Sequence, residues 1–136
     1  MGKIYFTASE EASSIDKKKN LETDVTYILH EIGLPAHIKG YQYLRDAIII
    51  SVENQGIINS ITEVLYPTIA KMNQTTPSNV ERAIRHAIEV AWDLGKMDTI
   101  DEQFGCTINT GQRKPTNSEF IAIVSDKIRL EYKTKS

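Results

Sequence analysis

Apolar residues fall at three- and four-residue steps through most of the chain, the spacing of one helical face. Leu21, Val25, Ile28, Leu29 and Ile32 form the first such stripe, and Gly33 follows where a helix end takes a left-handed residue. Pro35 can open a second helix, with the stripe Ile38, Tyr41, Leu44, Ala47, Ile48 and Val52 and a stop at Asn54-Gln55-Gly56. Ser60-Ile61-Thr62-Glu63 has the spacing of a capping box and predicts a third helix, which Pro67 either kinks or splits. Gln74-Thr75-Thr76-Pro77 reads as a turn. The helix after it starts at Thr76, with Pro77 in its first position, or at Ser78, with Glu81 completing a capping box. Leu94-Gly95-Lys96 ends that helix; a short one is expected over Met97–Phe104, then a loop from Gly105 to Pro115. A capping box at Thr116-Asn117-Ser118-Glu119 opens a final helix through Phe120, Ile121, Val124, Ile128 and Leu130. Only Ile4-Tyr5-Phe6 and Thr107-Ile108 look strand-like, so the expected fold is all-α, with about six helices, a helix-turn-helix and no winged-helix wing.

Residues 7–20, TASEEASSIDKKKN, are too polar to offset chain entropy by burial, so residues 1–20 read as a flexible linker or tail and 21–133 as one domain. A linker in that position suggests the C-terminal part of a longer protein. The apolar fraction of 40% and the balance of 16 Lys and Arg against 18 Asp and Glu describe an ordinary globular chain with no bulk attraction to polyanions. Charge is sorted by region, however. Residues 97–110 carry Asp98, Asp101 and Glu102 without a cation, whereas 111–136 are predominantly basic. Cys106 is the single cysteine, which excludes an internal disulfide and a Cys-rich zinc site and fits a reducing, cytoplasmic setting. Runs such as Ala47-Ile48-Ile49-Ile50 fall far short of the roughly 20 residues of a membrane span.

The segment SNVERAIRHAIEVAW, residues 78–92, carries the most chemistry. On a helical wheel Val80, Ala83, Ile84, Ala87, Ile88, Val90 and Ala91 share one face, and Ala83 and Ala87 permit close approach of another backbone. Ser78, Asn79, Glu81, Arg82, Arg85, His86, Glu89, Trp92 and Asp93 occupy the rest. A solvated face, with Glu81 and Arg85 paired at i,i+4, accounts for this pattern. So does a recognition helix. Ala70, the turn at Gln74 and Val80 have the spacing by which a helix-turn-helix packs its helices, although glycine is commoner than Gln at the turn. In that arrangement Arg donates twice to guanine and Glu accepts from cytosine.

Other constellations are weaker. His30-Glu31 and His37 lack the i,i+4 geometry of a metal helix, with Gly33 and Pro35 between them, so no metal or other cofactor is expected. Cys106 has no neighbouring histidine, Gly105 and Gly111 form no phosphate loop, and no nucleophile, base and orienting group assemble, so no enzyme is expected.

Residues 30–41 (HEIGLPAHIKGY), 80–92 and 114–122 (KPTNSEFIA) together resemble the DNA-binding effector domain of the master sporulation response regulator of Bacillus and Clostridium relatives. The resemblance spans about residues 21–133. It implies a transcription factor domain that binds TGTCGAA-type boxes in double-stranded DNA to activate or repress, under control of a phosphorylated receiver domain that is absent here. It carries base contacts to Glu81, Arg82 and Arg85, and further DNA contacts to Asn79, His86 and Lys133. Asn79 stands where arginine is expected in the Bacillus member. Ser78 and Lys114 join the expected phosphate contacts. Thr99, Asp101, Phe104 and Ile108 match the surface for the RNA polymerase sigma subunit. Tandem copies on DNA and a monomer in isolation are expected. The alternative function is a helical interaction module that contacts the sigma subunit or a signalling partner without reading DNA.

Overall fold

The computed structural model describes residues 20–94 and 114–132, with the helical course of the backbone continuing to Lys135. Among these residues the secondary structure is entirely helical: α1 (20–31), α2 (Lys39–Glu53), α3 (Tyr66–Met72), α4 (Pro77–Asp93) and α5 (Asn117–Lys135). A 3₁₀ segment, Gln55–Ser60, and a π turn, Ile61–Leu65, join α2 to α3. The short helix expected over Met97–Phe104 lies outside the described residues.

Chain breaks follow local chemistry. Gly33 has φ 82°, and the amides of Gly33 and Leu34 bond back to the carbonyls of His30 and Leu29 at 2.9 and 3.1 Å. This is the Schellman end that the glycine position predicts, completed by burial of Leu34 against the core. Gln74, at φ 53°, plays the same part after α3, where the Thr75 amide reaches the Ala70 carbonyl at 2.9 Å. A non-glycine residue therefore occupies a left-handed position at the turn.

Two predicted starts are corrected. α2 begins at Lys39 rather than at Pro35, because Ile38 is extended and the Pro35 carbonyl is taken up in a turn by the Ile38 amide. Ser60 and Glu63 form no capping box; Ser60 has a non-helical backbone and its hydroxyl accepts no capping bond. Pro67 explains the alternative. It supplies no amide and its ring crowds the carbonyl four residues back. The chain splits here: the Tyr66 amide bonds to the Ile61 carbonyl, one residue beyond α-helical spacing, and α3 starts afresh with the proline in its first turn. α4 takes the first of its two possible starts, with Thr76 Oγ1 accepting from the Asn79 amide at 3.2 Å. α5 opens on the predicted capping box. The Thr116 amide donates to Glu119 Oε1 at 2.9 Å, and the Glu119 amide to Thr116 Oγ1 at 3.2 Å.

The core gathers the predicted stripes: Leu29, Ile32, Leu44, Ile48, Ile69, Ile84, Ile88, Phe120 and Ile121 are all buried. Tyr43, which lies off the α2 stripe, is buried too, since α2 packs on both α4 and α5 and is covered over more than one face. Leu130 departs the other way and is 53% exposed, being two residues past Ile128 on the wheel. Trp92, expected on the polar side, is partly buried against the core.

Gly40 and Ala87 fix the α2–α4 contact. A Cβ at Gly40 would lie 2.8 Å from Ala87 Cβ and inside the Ala83 carbonyl. Close by along α2, Gln42 Nε2 donates to Asn73 Oδ1 at 2.7 Å, while Asn73 Nδ2 donates to the Ile69 carbonyl at 2.8 Å and to Asp46 Oδ2 at 3.2 Å. The network ties α2 to the end of α3 just before the turn. Burial pushes the Asp46 carboxyl above its ordinary value, against the opposing hydrogen bond from Asn73.

Two predictions follow from this packing. Gly40→Ala is expected to lower stability by about 1 to 3 kcal/mol in urea unfolding, because backbone rather than a flexible side chain must yield; an unchanged midpoint would contradict the close approach. A raised folded-state pKa gives Asp46 a stabilising contribution that is full below the unfolded carboxylate pKa of about 4 and is lost as pH rises through the folded value. Asp46→Asn should therefore match the wild type near pH 3 and exceed its stability at pH 7. A variant less stable than wild type at pH 7 would show that the ionised carboxylate is the favoured form.

Candidate nucleic-acid interface

α4 presents two unlike faces. Val80, Ile84, Ala87, Ile88 and Ala91 are buried, while Ser78, Asn79, Arg82, Arg85 and His86 are exposed. Pro77 and the Thr76 cap secure the first turn, and Asn79 Nδ2 reaches Thr75 Oγ1 at 3.2 Å. That bond draws the Asn79 side chain back over the turn.

Arg85 Nη1 and Glu81 Oε1 pair at 2.8 Å, with side chains 53% and 36% exposed. A pair this exposed contributes only about 0 to 1 kcal/mol. It orients the guanidinium yet yields it readily to a stronger anion. Arg82 has no ion-pair partner among the described residues.

The start of α5 comes to the same face. Lys114 Nζ and Glu89 Oε1 lie 2.9 Å apart, and the lysine's hydrogen bond and charge hold the Glu89 carboxyl below its usual range. Asn117 Nδ2 donates to the Glu81 carbonyl at 3.1 Å and to Tyr66 Oη at 3.0 Å, joining α3, α4 and α5. Burial pushes the Tyr66 phenol up, keeping it a neutral partner for that amide. Between these elements lies a groove of about 420 Å³ lined by Tyr66, Glu81, Arg85, Lys114, Thr116 and Ser118. Among the described residues no helix is long and apolar enough to cross a membrane, and no group of three or more His, Cys, Asp or Glu could hold a metal ion.

Residues 25–128 match the family described as sporulation initiation factor Spo0A C terminal. The chain belongs to the Spo0A C-terminal family. It is thereby the C-terminal domain of a sporulation-initiation transcription factor, in a response-regulator context. The matched span includes all five described helices at least in part and both segments that meet at the groove.

The fold brings Ser78, Asn79, Glu81, Arg82, Arg85 and His86 onto consecutive turns of one helix and sets Lys114 beside them through Glu89. The Lys133 side chain and the residues Thr99, Asp101, Phe104 and Ile108 lie outside the described residues. Glu89, Tyr66 and Asn117 are the site residues that periodicity does not single out. Asn117 sits inside a capping box that explains its neighbours, so only the cross-helix bonds reveal its second use.

Proposed function

We propose that this Spo0A C-terminal domain binds TGTCGAA-type boxes in double-stranded DNA through α4, with α3 and the Gln74 turn as the supporting half of a helix-turn-helix. The observation that carries this reading is the exposed row of Arg82, Arg85 and His86 on a helix whose opposite face is locked in the core. Such a helix presents its N-terminal half to the major groove as a rigid unit. Arg85 and Arg82 read guanines, and Glu81 orients Arg85 or accepts from a cytosine. Ser78, Asn79, His86, Lys114 and Lys133 act on phosphates. Asn79 reaches less far than an arginine and is tethered to Thr75, so its phosphate contact is the weakest of the set. Binding activates or represses according to promoter, with copies arranged in tandem on paired boxes. The acidic segment containing Thr99, Asp101, Phe104 and Ile108 contacts the sigma subunit.

Arg85→Ala is expected to lose about 1 to 3 kcal/mol on a box duplex and little on random DNA, measured by titration at fixed salt. Equal losses on both duplexes would defeat base reading. Glu89→Gln removes the ion pair between Glu89 and Lys114. Affinity should then rise modestly on box and random DNA alike, since solvent screens so exposed a pair. Unchanged binding to both would remove Lys114 from the phosphate contacts.

A further inference from the structure

Asn117 opens α5, yet its side chain takes no part in the capping bonds between Thr116 and Glu119. It reaches across the bundle instead. Nδ2 donates to the Glu81 carbonyl, 36 residues back in the chain, at 3.1 Å and to Tyr66 Oη, 51 residues back, at 3.0 Å. A side-chain amide carries two N–H donors, so both are used within the protein. Tyr66, 6% exposed, is the first residue of α3, and Glu81 lies in the second turn of α4. One amide thus holds α3 and α4 at once.

The anchor on α4 is also the partner of Arg85. Glu81 sits inside the helix, where its carbonyl serves the helix's own bonding pattern, and the second lone pair of that oxygen is left for Asn117. The Glu81 carboxylate in turn pairs with Arg85 Nη1 at 2.8 Å. The Gly40 contact at Ala83 and Ala87 sets the separation of α4 from α2, but a single close approach is a point about which a helix can still tilt. Asn117 and Tyr66 oppose that tilt from two further helices. A tilt of about 15° would carry a group at the rim of a helix about 12 Å across through roughly 1.5 Å. That exceeds the roughly 0.5 Å range of a good hydrogen bond, so paired contacts to a base edge would be lost. Charge attraction to phosphates is less directional and would survive.

We propose that Asn117, with Tyr66 as its second anchor, is a positioning residue for box discrimination: it fixes the tilt of α4 so that Arg82 and Arg85 meet base edges in register, without touching DNA itself. The inference rests on the reading of α4 as the DNA-binding helix and adds the side chains outside α4 that set its specificity.

The test titrates the whole chain and its variants against box and random duplexes at fixed salt, with circular dichroism to confirm folding. Asn117→Ala is expected to lower the ratio of box to random affinity about threefold to tenfold, the range of one net hydrogen bond, with random-DNA affinity within about twofold of wild type. Tyr66→Phe leaves the Glu81 bond in place and should lower the ratio about twofold. In an Arg85→Ala background most of the Asn117→Ala effect should vanish, because Asn117 acts through that arginine; a merely structural role gives the same loss in both backgrounds. A wild-type chain without box preference defeats base reading and this inference together. Where the wild type does prefer the box, an undiminished ratio in folded Asn117→Ala overturns the positioning role alone, as do equal losses on both duplexes or an additive loss with Arg85→Ala. Tyr66→Phe keeps the buried ring and carries the test if Asn117→Ala does not fold, a wild-type ratio there overturning the proposal as well.

Discussion

At Gly40 the backbone of α2 meets the backbone of α4, with Ala83 and Ala87 completing the contact. Little depth remains there for any side chain, so the separation and rotation of α4 are set by backbone rather than by adaptable side chains. The rest of the domain depends on that constraint. With α4 held this way, Val80, Ile84 and Ile88 are buried and the arginines have only the solvent side. α3 is held in turn by Asn73 and the Asp46 carboxylate, which fix the end of the helix that feeds the turn. Asn117 then joins α5 to the Glu81 carbonyl and Tyr66. Rigid placement of α4 therefore results from contacts on three sides.

On the proposed reading, the charges on that face are arranged for exchange. Glu81 holds Arg85 and Glu89 holds Lys114, each across an exposed pair that contributes little to stability. A phosphate or base edge can replace either carboxylate at small cost. The same pairs limit non-specific attraction, which suits a chain whose formal net charge is −2.

Much of this was legible in the sequence, because the features responsible are local. Gly33 and the Thr116/Glu119 box act within one helical turn, and their residue types announce them. The apolar stripe of α4 predicted its buried face for the same reason. The Ser60/Glu63 box failed because Pro67, four residues beyond Glu63, imposed a π turn on the same stretch. Two local rules competed, and the proline's is the harder steric one. Tyr43 escaped notice because α2 contacts two helices, a tertiary fact with no single periodicity. The Lys114–Glu89 pair and the Asn117 bonds join positions far apart in the chain. Spacing carries no information about them. The role proposed for α4 rests chiefly on Ala70, Gln74 and Val80 and on the family resemblance; helical periodicity alone fits a plain solvated face equally well.

The central claim is that the solvent face of α4 meets DNA as a preset unit. Titration of the ¹⁵N-labelled domain with a TGTCGAA duplex, followed through backbone amides, tests it most directly. The account predicts perturbations concentrated at Ser78–His86 and at the Lys114–Ser118 edge of the groove, with the 3₁₀ segment Gln55–Ser60 unchanged. Perturbations centred away from α4, with residues 78–86 silent at saturation, would contradict it.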